Sequence, residues 1–376
     1  MINQIQINNF RNYENIRFEV NKNIIILYGE NGQGKTNILE AISLFSLGKG
    51  LRKAKFEDII RKDSNKEFWN IIIHTEEDTF SSGYLNEKGK GKRIFKVSDK
   101  LTKNLTEFAK NNYILWMTYE TDRLFIQSPS DRRDFIDMFC SCVFIDHAVT
   151  LLNYEKTARE RQKILKEFFE NGERQDISRW LYIIEEKIAK LGIEIATNRI
   201  KMVEQLELCQ LRNGKFPEFK NTMTGKLEDG IINFVGDTIE NYRSELASRR
   251  QKDYFTKTTT FGPNRSDWRV IHAGNCMDAS LCSAGEQKML LSGVFLAFIN
   301  DNLKRDKRNL ILLLDDVIAH LDANHRSLLF EYLKNIINDN LKKISIWLSG
   351  TEKSLFDELK DDALFFRVDN NAVERG

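Results

Sequence analysis

The sequence predicts an α/β fold in which a split mixed sheet with flanking helices is interrupted by an inserted α-helical arm. Three observations predict it. Short apolar runs stand near both ends of the chain, at Ile24–Tyr28, Leu310–Leu314 and Ile344–Leu348. Runs of that length, rich in branched residues and bounded by glycine or charge, suit strands buried on both faces. A glycine-rich stretch follows the first run and leads into a helical pattern from Thr36 through Leu47, a strand–turn–helix order. Between the two α/β segments, from about Asp131 to Leu211, glycines thin out and apolar residues step by three and four.

The elements follow in order. Residues Ile2 to Ile7 and Ile16 to Val20 alternate apolar and polar, as half-buried strands do, and further strands are expected at Phe68–His74, Ile94–Val97 and Tyr113–Met117. In the middle, Leu181, Ile184, Ile188, Leu191 and Ile195 fall on one helix face, with His147 to Phe169 as the natural packing partner. The pair is too short for an extended coiled coil. Residues 1–118 and 250–376 are therefore expected to form one lobe, with 119–249 as the insertion.

Composition sets limits. Of 376 residues, 41% are hydrophobic and 30% charged, which excludes a disordered chain, while a net charge of +2 leaves any argument about partners to local clusters. The five cysteines are odd in number and lack a C-x-x-C pair, so they are expected as buried thiols in a reducing cytosol. No leader and no span of roughly 20 apolar residues is visible, so a soluble cytoplasmic protein without a membrane partner is expected.

Residues 29–36 read GENGQGKT, the P-loop pattern. Gly29, Gly32 and Gly34 let the backbone curl so that its N–H groups, with those of Glu30, Asn31 and Gln33, face phosphate oxygens. Lys35 adds a point charge and Thr36 a hydroxyl for Mg²⁺. The run LILLLDD at 310–316 reads as a strand delivering two acids to the sheet's carboxyl edge, Asp315 for Mg²⁺ and Asp316 for the attacking water. ATP and Mg²⁺ are the expected cofactors. CSAGEQK at 282–288 matches the ABC signature: Ser283 caps a helix over Glu286–Phe298, and Ser283, Gly285 and Gln287 are aimed at the γ-phosphate held by a second copy. Ala319-His320-Leu321-Asp322 matches the D-loop of a dimer interface. P-loop, signature, Walker B and D-loop in this order define an ABC-type P-loop ATPase head. The gap of about 250 residues between P-loop and signature resembles SMC and Rad50 heads rather than transporter ATPases. A Rad50-like tether needs far more heptads, and an anti-phage ATPase of the superfamily usually carries a nuclease domain beyond the head.

Two basic clusters are candidates for duplex DNA. Lys88, Lys90, Lys92, Arg93, Lys96, Lys100 and Lys103 fall within sixteen residues holding one acid, Asp99, with Gly83, Gly89 and Gly91 marking a hairpin tip. Lys49, Arg52, Lys53 and Lys55 form the second. Such patches bind phosphates without sequence preference. Lys53, Lys55, Lys90, Lys92 and Arg93 are expected as contacts, both clusters lying on one side of the lobe.

Asn9-Phe10-Arg11-Asn12-Tyr13, Asn37-Ile38-Leu39-Glu40-Ala41-Ile42 after the P-loop, Pro129-Ser130-Asp131-Arg132-Arg133, Gly262-Pro263-Asn264-Arg265-Ser266-Asp267 and Trp347 to Thr351 together resemble the RecF family of bacterial recombination mediators over nearly the whole chain. Departures occur at Asn264, where histidine is usual, at Ser349, where threonine is usual, and at Thr118-Tyr119-Glu120. The resemblance implies recombinational repair and fork maintenance within the SOS response. It implies an ATP-induced homodimer that binds duplex DNA and single-strand/double-strand junctions. Such a protein works with RecO- and RecR-type partners to load recombinase at gaps, and a weak DNA-stimulated hydrolysis resets it. It also implies that Arg11 touches phosphate or the adenine region, and adds Asn12 and Asn37 to the nucleotide site. Arg132, Arg133 and Arg265 are recognisable without an assigned role.

Overall fold

The computed structural model describes all residues except 49, 103, 104, 173, 174, 212, 213, 226–238, 341 and 342; Lys49 and Lys103 of the basic clusters thus lie outside the described residues. The fold divides into two compact units, Met1–Asp122 with Asn302–Gly376, and Arg123–Asp301.

In chain order the first unit opens with β1 (Ile2–Phe10), β2 (Tyr13–Glu19), β3 (Ile24–Tyr28), α1 (Lys35–Ser43), β4 (Phe68–Thr75), β5 (Thr79–Glu87), β6 (Lys90–Val97), β7 (Lys100–Thr102), α2 (Thr106–Asn111) and β8 (Asn112–Thr118). The second unit carries α3 (Pro129–Val143), α4 (His147–Asn171), α5 (Gln175–Leu208), β9 (Phe219–Gly225), α6 (Ile239–Ser248), α7 (Arg250–Thr256), β10 (Ser266–His272), β11 (Met277–Asp278) and the start of α8 (Ala284–Arg305). The first unit closes with β12 (Asn309–Asp315), α9 (Ala323–Asp339), β13 (Ile344–Gly350), β14 (Ala363–Asp369) and β15 (Ala372–Arg375).

Two six-stranded sheets build the first unit. One, in the order β2-β1-β4-β5-β6-β7, is antiparallel throughout; the other runs β15-β14-β3-β13-β12-β8, with β14, β3, β13, β12 and β8 mutually parallel. The difference follows from the side chains. β13 is buried at every position and β12 at all but its first, as a doubly covered parallel strand requires, whereas β2 alternates. One core joins Ile5, Ile7 and Phe18 to Ile25, Leu27, Leu313 and Trp347, with Ile38, Leu39 and Ile42 of α1 packed on it. Phe18 meets Phe366 at 4.9 Å between ring centroids.

In the second unit α4 packs along α5 through Leu165 with Leu181, and Tyr154 with Ile188 and Ile195. Ile184 and Leu191 of the expected stripe are only partly buried; the face rotates to include Glu185 and Arg199, both buried. The insertion is not purely helical, as the sequence reading expected: β9 pairs with β10 and β10 with β11. Phe219, Asn221 and Met223 are buried between exposed Lys220 and Thr222, a period of two that places one strand face on the core. This pairing holds β9, β10 and β11 in the second unit, whose end falls at Asp301 where 250 was expected. Aromatic packing of α8 on α3, with Phe139 stacked on Phe298 at 4.2 Å, anchors the same segment. Among the described residues no helix is long and apolar enough to cross a membrane. Cys140, Cys142 and Cys282 are buried, but Cys276 is exposed in the turn between β10 and β11, where its φ of 51° puts it in the left-handed region.

Candidate nucleotide and DNA sites

The P-loop joins β3 to α1 at the carboxyl edge of the parallel strands. Two of its glycines are irreplaceable for different reasons. Gly29 has φ 150°, and a Cβ there would lie 2.2 Å from the Val368 carbonyl oxygen. Gly34 caps α1 at φ 110°, and a Cβ would lie 2.5 Å from both Asn12 Nδ2 and Tyr13 Oη. Lys35 Nζ donates to the carbonyls of Gly29 (2.5 Å) and Glu30 (2.8 Å). Burial lowers its pKa, against the pull of Asp316 and Asp315.

Strand β13 separates β3 from β12, yet the two chain ends meet. Thr36 Oγ1 donates to Asp315 Oδ1 at 2.9 Å, and Ser349 Oγ at the end of β13 donates to the same oxygen at 2.8 Å. Burial pushes the Asp315 carboxyl above its ordinary value despite these two donors, with Asp316 adding to the rise. Asp316 has φ 56°, a strained conformation for a non-glycine residue. Its N–H is held by Ser349 Oγ at 2.9 Å, and its Oδ1 is buried without a hydrogen-bond partner among the described residues. Hydroxyl and carboxylate oxygens grouped beside a lysine, with one buried carboxylate oxygen left unmatched, fit a hard divalent cation and its water.

The signature residues lie in the second unit. Ser283 and Glu286 form a reciprocal cap: Glu286 Oε2 accepts from the Ser283 N–H and hydroxyl, both at 2.8 Å. Ser283, Ala284 and Gly285 are exposed, so this helix end faces solvent. Gln287 does not share that surface as the signature reading expected. It is buried, and its Nε2 donates to the Cys282 carbonyl at 2.8 Å, because the second turn of α8 already faces the core. Asp322 caps α9 by accepting from the His325 N–H at 3.0 Å, and remains exposed.

Arg11 is also placed differently from its expected nucleotide contact. Its Nε and Nη2 grip Glu40 of α1 at 2.9 and 2.6 Å and its Nη1 bonds the Asp58 carbonyl, because the Glu40 carboxylate is 2% exposed and needs a cation. Arg52 joins Glu40 and Asn37 at 3.3 and 2.7 Å.

In the basic clusters, Lys53, Lys55, Lys90, Lys92, Lys96 and Lys100 are exposed. Arg93 is not. Strand alternation sends it to the opposite face of β6 from Lys92, where its guanidinium lies 4.1 Å above the Phe56 ring and 4.8 Å above Phe95. It bonds Ser82 Oγ at 2.7 Å, and burial lowers it to about 10. Arg93 therefore rivets the segment after Lys55 onto β6, and its guanidinium is engaged within the fold.

The three arginines without an assigned role make contacts inside the second unit. Arg132 pairs with Asp267 through two bonds of 2.7 Å, Arg133 donates to the Ser266 carbonyl at 2.6 Å, and Arg265 to the Thr259 carbonyl at 3.2 Å. The two motif segments meet around a residue that the sequence reading missed. Arg199 grips Asp137 at 2.7 Å twice and reaches Pro263 O and Ser266 Oγ. Burial alone would raise Asp137, but Arg199 and then His147 hold it at about 2. Arg199 could have been found as a lone charge four residues beyond Ile195 on the apolar stripe. Glu40 and Ser349 stand in the family-like segments Asn37–Ile42 and Trp347–Thr351, but nothing local signals the contacts they make.

The model of the RecF/RecN/SMC N terminal domain matches residues 1–348. The DNA replication and repair protein RecF of Mesorhizobium japonicum is 32% identical, the match covering 99% of this chain and 97% of that protein. The protein of the same name from Brucella abortus is 34% identical over 98% and 94%. A solved structure of the recombination mediator RecF with ATPrS, of the RecFOR pathway, superposes with a TM-score of 0.80 at 22% identity, covering 100% of this chain and 98% of that one. An Smc head domain from Pyrococcus furiosus reaches 0.51 at 14%, covering 99% and 95%. The last two are similar in fold.

Proposed function

The chain belongs to the RecF family of DNA replication and repair proteins, and from that premise we propose that it is an ATP-controlled DNA-binding switch of recombinational repair. The observation that carries the nucleotide half of this reading is the cluster Thr36–Asp315–Ser349–Asp316 beside the P-loop, with its raised Asp315 carboxyl and unmatched Asp316 oxygen. Related structures described as RecF with ATP or ATPrS support it.

In this reading the P-loop N–H groups and Lys35 hold the β- and γ-phosphates. Thr36 and Asp315 would hold Mg²⁺, which supplies charge neutralisation at the phosphates when bound. Asp316, fixed by Ser349, orients the attacking water. The exposed Ser283–Gly285 helix end of a second copy closes over the γ-phosphate, and Asp322 lies at the same interface, so ATP joins two chains and slow hydrolysis parts them. Lys90, Lys92 and Lys96, with Lys53 and Lys55, contact the phosphates of duplex DNA and of single-strand/double-strand junctions. RecO- and RecR-type proteins are the partners, a reading supported by the RecFOR pathway named for the related structure, and loading of recombinase at gaps is what they carry out together.

The test is binding of the full chain to gapped and blunt duplexes with ATP, ADP or no nucleotide, at several salt concentrations. Binding that depends on ATP and weakens steeply with salt is expected. Lys90→Glu with Lys92→Glu should shrink the salt slope by about 2, roughly one for each lost phosphate contact, while nucleotide affinity stays unchanged. Equal DNA affinity in all nucleotide states would overturn the switch.

A further inference from the structure

The last strands of the chain reach the outer side of the P-loop. β14 and β15 form a hairpin whose two-residue turn is Asn370-Asn371, both left-handed, with φ of 47° and 64°. The Asn370 N–H donates to Gln33 Oε1 at 2.9 Å. Asn371 Oδ1 accepts from Asn12 Nδ2 at 2.5 Å, and the same amide donates to the Gln33 carbonyl at 3.2 Å. Asn12 Oδ1 in turn accepts from Asn37 Nδ2 at 2.6 Å. At the start of the loop, the Val368 carbonyl of β14 fills the space beside Gly29. The hairpin thus meets the P-loop at both ends of its curl.

The chemistry of that contact is specific. A P-loop works by aiming N–H groups inward, so some of its carbonyls point outward and need donors of their own. Gln33 O has one in Asn12, and Asn12 is oriented by Asn371 on one side and Asn37 on the other. Glycine would serve a left-handed turn position at least as well as asparagine. The side chain at 371 therefore does something that the turn itself does not need.

We propose that the Asn370-Asn371 turn is a brace that pre-shapes the P-loop for phosphate, with Asn12 and Asn371 as positioning residues, so that nucleotide affinity depends on the C-terminal hairpin. This rests on the nucleotide-binding reading. A loop already held in its binding shape loses less freedom on binding, so the gain is common to every ligand that uses the loop's N–H groups.

The experiment titrates fluorescent ATP and ADP analogues into the full-length chain, Asn371→Gly and Asn371→Asp, and records thermal melting without nucleotide. The glycine variant keeps the turn and loses the acceptor. Its affinity for ATP and ADP should fall alike by about 5- to 20-fold, the scale of one lost hydrogen bond to an oriented amide, with melting unchanged. Aspartate keeps the acceptor oxygen and should recover most of the loss. Equal affinity of the parent chain and the glycine variant overturns the brace alone, whereas a parent chain that binds neither nucleotide overturns the nucleotide reading beneath it. If the glycine variant also melts earlier, Asn12→Ala decides: a double variant no weaker than Asn12→Ala supports the shared contact, and fully additive losses overturn it.

Discussion

Replacing Ser349 with alanine removes one hydroxyl that holds two acids. Ser349 Oγ donates to Asp315 Oδ1 at 2.8 Å and accepts from the Asp316 N–H at 2.9 Å, at a site 1% exposed. A hydrogen bond to a carboxylate contributes roughly 1.5–3 kcal/mol, and an orphaned buried N–H costs roughly 1–3 kcal/mol. Both losses pass through one atom and do not fully add, so about 2–4 kcal/mol is expected. In a unit of roughly 200 residues this lowers the melting temperature by about 5–15 °C. The loss also depends on pH. Burial raises the folded-state pKa of Asp315 and Ser349 opposes the rise. A carboxyl raised on folding favours the fold fully only below its unfolded value of about 4, and this contribution disappears as pH climbs through the folded value. Alanine raises that value further, so the variant should lose more stability at pH 7.5 than at pH 5. Urea unfolding at both pH values measures this, with Ser349→Thr as the variant that keeps the hydroxyl. A loss below about 0.5 kcal/mol at pH 7.5, or a smaller loss there than at pH 5, refutes the bridging role.

Two further outcomes follow from burial. Arg93→Ala should cost about 2–4 kcal/mol, because the guanidinium packs on aromatic rings and bonds Ser82. Lys92→Glu, exposed on the opposite face, should leave thermal melting unchanged; an equal effect of the two changes would sink the face assignment. Arg161 is fully buried and pairs with Glu185 at 3.1 Å and Asp253 at 2.6 Å. Arg161→Met should cost about 3–5 kcal/mol, since Asp253 is left without its cation. Arg250 still reaches Glu185 at 2.6 Å, so Arg161→Met with Asp253→Asn should recover part of the loss in denaturant titrations.

What could be read from the sequence was local. The P-loop and the strand ending at Asp315 declare themselves because strand, turn and helix are adjacent in the chain, so spacing alone carries the geometry. The capping box at Ser283 is legible for the same reason. The internal contacts of Arg93 and Gln287 are not legible in the sequence, because a one-residue step on a strand, or one helical turn, decides between solvent and core, and only the packed fold says which. The pairing of Arg11 with Glu40 is not legible because the two stand 29 residues apart. β9 stands beyond the helical spacing that ends near Leu211 but within the 119–249 bounds of the expected helical insertion, and its partner β10 begins only at Ser266, so the pairing has no local signal. Arg132 and Asp267 stand 135 residues apart and acquire meaning only as a pair.

Light scattering of the chain carrying Asp316→Asn, with ATP, ADP or neither, reaches the central claim most directly, since slowed turnover lets any ATP-bound assembly accumulate. The mass should double from 44.0 kDa with ATP alone, and adding Ser283→Arg should return it to the single-chain value. One mass in every nucleotide state, or a doubled mass that survives Ser283→Arg, would contradict a triphosphate shared between two copies.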